Sequence, residues 1–179
     1  MQLISVALLY YTAHTLAQNT TCRHCEDEAH GFASLNGGTT GGKGGKIVYA
    51  NTYHELKTYA AQNGSLIIRV NGALIAEPKG YEIPIASHKT IIGVGKTAKV
   101  IGGGFVVKGT RNIILRNLQV SDTRIPEDWP GKTEDWDGIQ VDNGTKIWID
   151  HITVLSPTVS LYGPSRLTLA VRTHERWPH

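Results

Sequence analysis

The sequence predicts an all-β fold, a parallel β-helix with one short helix near its N-terminal end. Short runs rich in Val and Ile recur from residue 46 to residue 149, and glycines or charged turns separate them. The triplets that start at Thr90 and Asn112 lie 22 residues apart, which is near the length of one coil of a solenoid. Many runs place apolar residues side by side, a pattern that suits stacked coils better than a β-sandwich with one solvated face.

Length and composition restrict the function classes. The 179 residues are enough for one domain with a sizeable core. The net charge is +3, and the sequence has no Lys/Arg run of the kind that marks a nucleic-acid surface. No apolar stretch of the sequence is long enough to span a membrane. We expect neither a nucleic-acid nor a membrane partner, and we expect a monomer.

Residues 1–17 have the pattern of a secretory signal peptide. Residues 3–11 are apolar apart from Ser5, and residues 15–17 place small side chains before a mature start at Gln18. The Lys or Arg that usually precedes the apolar run is missing, so a buried first strand or helix is the alternative. The signal peptide predicts an extracellular protein.

Two further features fit secretion. Cys22 and Cys25 are spaced Cys-x-x-Cys, which in a secreted chain favours a local disulfide, with half of a zinc site as the alternative. Three Asn-x-Ser/Thr sequons begin at Asn19, Asn63 and Asn143. We therefore expect a glycoprotein.

Residues 36–45 form a glycine-rich segment. Glycine permits positive φ angles and close approach of the backbone, so both a phosphate cradle and a structural loop are conceivable. No Gly-Lys-Ser/Thr follows, and no strand–loop–helix frame surrounds the segment. We interpret it as a structural loop.

One helix is predicted, from Thr52 to Gln62, after a short strand over residues 46–50. Thr52 and Glu55 have the spacing of a capping box, and Asn63-Gly64 ends the helix. The remaining apolar runs predict strands over residues 66–70, 90–94, 105–107, 112–118, 138–141 and 146–149.

Acidic side chains are concentrated in the stretch from Glu134 to Asp142. It places several carboxylates beside β-branched runs, and carboxylate oxygens are the ligands that calcium prefers. Asp150 and His151 follow on the next run, and a His beside an Asp suggests a general base.

Six motifs together resemble the extracellular pectate lyases of the pectate/pectin lyase family. In chain order they are Gly31-Phe32-Ala33 with Thr39-Thr40-Gly41-Gly42, then Glu55-Leu56, Lys89 to Gly95, Asn112 to Leu118, Asp137 to Asp142, and Trp148 to His151. The resemblance runs from about Gly31 to Val154 and implies a right-handed parallel β-helix.

The resemblance also implies an activity. The family cleaves polygalacturonate by β-elimination, with Ca²⁺ bridging enzyme and uronate carboxylates and an arginine removing the ring proton. By motif match, Asp137 and Asp135 are the first two calcium ligands, and Glu134 is an outside candidate. The alternative is that both Asp residues are solvated acids in a loop without metal. Asp142 is expected to shape the turn that follows it.

Other polar residues of the motifs are assigned to structure. In the resembled family Asp150-His151 belongs to the coil scaffold, and we expect the same here. Trp148 is expected to be packed rather than a sugar platform. Arg116 and Asn117 are expected to join hydrogen-bonded stacks along the coils.

The resemblance stops after Val154. The family's catalytic Arg-x-Pro-x-x-Arg motif is not recognisable, and Tyr162 stands where its first Arg belongs, so no residue is assigned as catalytic. We interpret residues 18–154 as a partial β-helix domain and residues 155–179 as a divergent, irregular tail of a truncated, mis-spliced or frame-shifted product.

Three functions follow from this organisation. The first is a secreted, calcium-dependent pectate lyase. The second is an inactive β-helix fragment that at most binds pectin or another acidic polysaccharide. The third, an unrelated secreted β-solenoid, is disfavoured by the six motifs.

Overall fold

The computed structural model of the protein describes residues 29, 31–123, 137–155, 159–162 and 166–171. A short 3₁₀ helix spans Gly31–Ser34, and the described part contains one α-helix, α1, at Tyr53–Ala61. The described strands are β1 (Lys46–Ala50), β2 (Leu66–Val70), β3 (Ala73–Ile75), β4 (Glu82–Pro84), β5 (Lys89–Gly93), β6 (Lys99–Ile101), β7 (Gly104–Lys108), β8 (Arg111–Ser121), β9 (Ile139–Asp142), β10 (Thr145–Leu155), β11 (Val159–Tyr162) and β12 (Arg166–Val171).

The strands stack in parallel on three faces, so the predicted parallel β-helix is confirmed. The first face has the order β1-β2-β5-β8-β10-β12, and the third face contains β4, β7, β9 and β11. The second face contains β3, β6 and the later parts of β8 and β10. Asn117 and His151, both with positive φ, bend these two long strands from the first face onto the second.

The first coils have lengths near the expected 22 residues. The rung repeats after 20 residues from β1 to β2, after 23 from β2 to β5 and after 24 from β5 to β8. Thr90 pairs with Ile114 rather than with Asn112, so the two similar triplets occupy different positions on their rungs. Asn112 lies two residues earlier on its strand than Thr90 does, and it has a positive φ of 58°.

The core lies inside the stacked faces. Inward residues of successive rungs align, for example Ile68, Ile91 and Leu115 on the first face and Phe105 and Ile139 on the third. All five are buried. Each rung thus buries its apolar side chains against the rungs above and below it, which is how a solenoid forms one continuous core.

Helix α1 closes the core near β1 and β2. Its Leu56 and Ala60 belong to the main hydrophobic cluster. Thr52 Oγ1 accepts from the Glu55 N–H (3.2 Å), and a Glu55 carboxylate oxygen accepts from the Thr52 N–H (3.1 Å), so the predicted capping box is confirmed. Among the described residues, no helix is both long and apolar enough to cross a membrane.

A buried lysine holds the chain beyond α1. The Lys89 side chain is fully buried, and its Nζ donates to the carbonyl oxygens of Gly64 (2.6 Å) and Ser87 (3.0 Å). Burial lowers the pKa of Lys89, because the charged form loses hydration. Lys89 begins one of the six motifs, but no neighbouring residue in the sequence indicates that its ammonium group is buried.

The tail after Val154 is more regular than predicted. Strand β11 pairs in parallel with β9, and β12 pairs in parallel with β10. The prediction of an irregular tail is therefore wrong for residues 159–162 and 166–171. The sequence of these segments alternates apolar and polar residues, and Leu167 and Leu169 align with the inward Ile147 and Ile149 of the rung before.

Candidate functional site

Asp137 lies two residues before β9, a strand of the third face, and is fully buried. The rung before it fixes the position of this backbone along the axis of the β-helix, because the Phe105 N–H donates to the Gly138 carbonyl (3.0 Å). The Asp137 carbonyl lies so close to Gly104 that a Cβ at position 104 would come within 2.3 Å of it. A glycine in the preceding rung therefore sets where the Asp137 backbone sits.

The predicted calcium ligands are only partly inside the described structure. Asp135 and Glu134 lie outside the described residues, whereas Asp137 is described. No three His, Cys, Asp or Glu side chains come together among the residues described. The carboxylate of Asp137 is a donor of the type that calcium prefers, but one described carboxylate does not make a site.

The outer surface of β9 carries polar groups. Gln140 and Asp142 are partly exposed, and they align with Val106 and the exposed Lys108 of β7. This surface therefore presents an amide, a carboxylate and an ammonium group in one small area. Asp142 ends β9 and Asn143 follows with a positive φ, as predicted for a turn at this point.

Asp150 and His151 lie on another face and form a structural cluster. The Asp150 Oδ2 lies 2.9 Å from Arg116 Nε and 2.7 Å from His151 Nδ1. The Arg116 guanidinium lies over the Trp148 ring, 5.1 Å from its centroid. Trp148 is buried beside Ala29, so its predicted packing is confirmed. Asp150 and His151 therefore stabilise the coil scaffold, and they lie on a different face from Asp137.

Asparagine side chains stabilise the corners between the first two faces. The Asn117 amide donates to the carbonyl oxygens of Gly93 and Gly95, both at 2.8 Å. Asn71 donates to the Asn51 amide oxygen at 3.0 Å at the same corner of earlier rungs. The predicted role of Asn117 in a hydrogen-bonded stack is confirmed.

The role of Asn112 was not predicted from the sequence. Its Oδ1 accepts from the backbone N–H groups of Thr40 (2.8 Å) and Gly41 (2.9 Å). The next N–H, of Gly42, donates to the Thr90 hydroxyl at 2.9 Å. These bonds bind the glycine-rich segment to the outside of the first face, which confirms that the segment is structural. An Asn at the start of a strand run was the available signal.

Known proteins place the chain in one family. The sequence profile described as pectate lyase matches residues 4–162. A pectate trisaccharide-lyase of Thermotoga maritima is 40% identical over 156 residues, 84% of this chain. Pectate lyase E of Dickeya chrysanthemi is 38% identical over 145 residues, 69% of this chain. The chain spans 41% and 37% of the lengths of these two relatives.

Solved structures agree with the fold. A pectate lyase from Bacillus sp. N165, solved with trigalacturonate, has a TM-score of 0.58 at 29% identity over 71% of this chain and 42% of its own. A pectate lyase from Paenibacillus sp. 0602, at 18% identity, has a TM-score of 0.60 over 77% of this chain and 40% of its own, and shows the fold alone. The chain belongs to the pectate lyase family.

Proposed function

We propose that the protein is a secreted, calcium-dependent pectate lyase that cleaves polygalacturonate by β-elimination. The observation that carries the proposal is the 40% identity to a pectate trisaccharide-lyase over 84% of the chain. The similarity to a pectate lyase solved with trigalacturonate supports an acidic galacturonate ligand. Because the chain spans about two fifths of these proteins, the activity of the chain itself has to be measured.

The proposed metal ligands are Asp137 and Asp135. In an extended segment, side chains two residues apart lie on the same side, so both carboxylates can reach one ion. Asp137 is held by the rung before it, which gives a ligand with little freedom to move. Calcium, when bound there, would act as a Lewis acid on the uronate carboxylate and make the neighbouring ring proton more acidic.

Lys108 and Gln140, on the outside of β7 and β9, are proposed to orient the sugar chain. Lys108 is an exposed cation suited to a uronate carboxylate, and the Gln140 amide can both donate to and accept from sugar hydroxyls. The base that removes the ring proton is assigned to no residue.

The preferred polymer is proposed to be de-esterified pectate rather than methylated pectin. A calcium ion held by Asp carboxylates attracts a free uronate carboxylate, whereas a methyl ester has no charge for the metal to bind. The positive charge of the chain, +3, acts in the same direction but weakly.

Secretion is part of the proposal. The proposed signal peptide, residues 1–17, lies outside the described residues. The same holds for Asn19 and for the proposed disulfide between Cys22 and Cys25. Asn63 and Asn143, the other two sequons, are both exposed and therefore accessible to glycosylation. Residues 18–154 remain the proposed β-helix domain.

The test is cleavage of polygalacturonate by the purified chain. We expect unsaturated product, followed by its ultraviolet absorbance, with calcium and none with a chelator. Asp137→Asn is expected to weaken calcium binding about tenfold or more, measured by calorimetry, because one charged ligand is lost.

The matched control is Asp142→Asn, which neutralises the carboxylate at the other end of β9 from Asp137. It is expected to leave calcium binding unchanged. Equal calcium affinity in Asp137→Asn and the unmodified chain would reject the ligand assignment. Binding of polygalacturonate without any product would instead support the inactive binding fragment.

A further inference from the structure

We propose that a cavity on the first face is a second binding site, for a short carboxylate-bearing oligosaccharide. The cavity has a volume of about 820 Å³ and lies between residues 32–40 and the starts of β8 and β10. Pockets for small ligands have volumes of about 300–1,000 Å³. Asp137 lies two residues before β9 and Lys146 follows that strand, so the cavity and the proposed calcium site lie at opposite ends of it.

The charge of the cavity selects an anion. Arg111 and Lys146 line it, both are exposed, and they lie on neighbouring rungs because Arg111 pairs in register with Thr145. The Lys146 Nζ donates to the Asn36 carbonyl at 3.2 Å, which holds the ammonium group at the rim. No Asp or Glu is present among the described residues that line the cavity. Two cations, with no carboxylate among the described lining residues, create a positive potential in a concave site.

The residue 32–40 wall of the cavity carries exposed apolar side chains. The Phe32 side chain lines the cavity and is 82% exposed, and Leu35 beside it is 57% exposed. A sugar ring has an apolar C–H side that can lie on an aromatic ring, while its carboxylate and hydroxyl groups reach polar partners. An exposed aromatic ring beside two cations therefore fits an acidic sugar better than it fits a small inorganic anion.

The cavity is preorganised. The Asn112 amide accepts from the N–H groups of Thr40 and Gly41 and donates to the Gly41 carbonyl (3.1 Å), so the residue 32–40 wall is tied to β8. The His88 N–H donates to the Arg111 carbonyl at 3.0 Å, which fixes the strand start that carries the guanidinium. A site that is already formed avoids the entropy cost of ordering it on binding.

The choice of a uronate sugar rests on the proposed function, whereas the preference for an anion rests on the cavity alone. The test uses the full chain in a chelator, so that the proposed calcium site does not contribute. Trigalacturonate is titrated by calorimetry, and inorganic phosphate and a neutral trisaccharide are titrated in parallel. We expect trigalacturonate to bind more tightly than either, and less tightly at high salt.

Substitutions locate the site. Arg111→Gln and Lys146→Gln are each expected to weaken trigalacturonate binding about threefold, and the double variant about tenfold, as for partly exposed ion pairs. Lys96→Gln, an exposed lysine outside the cavity, is the matched control and should have no effect. Asp137→Asn should also have none, and circular dichroism checks that each variant is folded.

Two results would overturn the proposal: no binding to the unmodified chain in chelator, or equal binding by the folded double variant. Phosphate binding as tight as trigalacturonate binding would reject the sugar and leave a simple anion site. If the unmodified chain binds trigalacturonate in chelator but forms no unsaturated product with calcium, the proposed function is contradicted and the cavity site stands. Failure of the cavity site and failure of the proposed function are therefore distinguishable.

Discussion

The Nδ2 atom of Asn112 lies 2.9 Å from the Nδ1 atom of His88. Oδ1 of the same amide accepts from the N–H groups of Thr40 and Gly41, which fixes the orientation of the amide. Nδ2 can only donate, so His88 Nδ1 must be the acceptor and the imidazole proton sits on Nε2. One buried side chain thus connects β8 to the chain before β5 and to the glycine-rich segment.

Asn112→Ala is expected to destabilise the protein by about 2–3 kcal/mol. The substitution leaves the N–H groups of Thr40 and Gly41 without their acceptor, and an unsatisfied buried donor costs about 1–3 kcal/mol. Urea unfolding measures the change. Asn143→Ala is the control, because Asn143 is exposed and has a similar positive φ of 52°, so the strain of an Ala at positive φ is present in both variants; it should cost about 1 kcal/mol or less. A loss as small as the control's would show that the segment is not held by this amide.

Local chemistry explains which parts of the fold were predictable. The start of α1 was predicted because Thr52 and Glu55, three residues apart, form the capping box by themselves. Strands β2, β5 and β8 were predicted from β-branched runs, whose side chains pack on the neighbouring rungs. Neither inference needed contacts between distant parts of the sequence.

The features that sequence reasoning missed depend on distant contacts. Asn112 and Thr40 are 72 positions apart, and nothing near either residue indicates the other. The alignment of Thr90 with Ile114 was not predicted, because it is set by the turns between strands, which apolar composition does not reveal. At the candidate site, Asp137 was singled out by its motif, but its dependence on Gly104 of the rung before was not.

Gly104→Ala is expected to destabilise the fold by about 3 kcal/mol or more and to weaken calcium binding. The new Cβ would lie 2.3 Å from the Asp137 carbonyl oxygen and 2.9 Å from that of Gly138, and backbone atoms of a paired strand cannot move aside cheaply. The rung would have to shift, and the Asp137 carboxylate would shift with it. Thermal unfolding and calcium titration of the same sample measure both effects.

Gly144→Ala is the matched control for Gly104→Ala. Its new Cβ would meet side-chain carbons of Val107, Val141 and Ile147 at 3.0–3.1 Å, which can adjust by small movements. Neither glycine has a positive φ, so backbone strain does not separate them. We expect a loss of about 1 kcal/mol and normal calcium affinity. Equal losses in the two variants would contradict the role assigned to Gly104.

Asp150→Asn is expected to lower stability by about 2–3 kcal/mol, whereas His151→Asn should change it by less than about 0.5 kcal/mol. Asp150 and Arg116 are largely buried, so removing the carboxylate charge leaves the guanidinium without this compensation. The His151 side chain is 71% exposed, and Asn tolerates the positive φ at that position. Chemical denaturation measures both. A folded Asp150→Asn chain with unchanged stability but lost turnover would refute the scaffold role.

Tyr53→Phe is expected to remove an alkaline loss of stability. The Tyr53 hydroxyl is buried and donates to the Tyr81 carbonyl at 2.5 Å. Burial, with smaller contributions from Tyr81 and Glu82, raises the pKa of Tyr53 well above its ordinary value of about 10. The folded state therefore keeps the proton above about pH 10 while the unfolded state loses it. Stability from this group is fully present below about pH 10 and falls as the pH rises further.

The free energy of unfolding in urea, compared between Tyr53→Phe and the unmodified chain at several pH values, measures this effect. At neutral pH the variant should be less stable by about 1 kcal/mol, because one hydrogen bond is lost. Above about pH 10 the difference should shrink by up to about 1.4 kcal/mol per pH unit. Burial lowers the pKa of Lys89, so its contribution to the free energy of unfolding increases as the pH rises toward about 10.4. Lys89 is present in both chains, so this contribution cancels in the difference between them. A difference that stays constant from pH ~8 to ~11 would contradict the buried, protonated Tyr53.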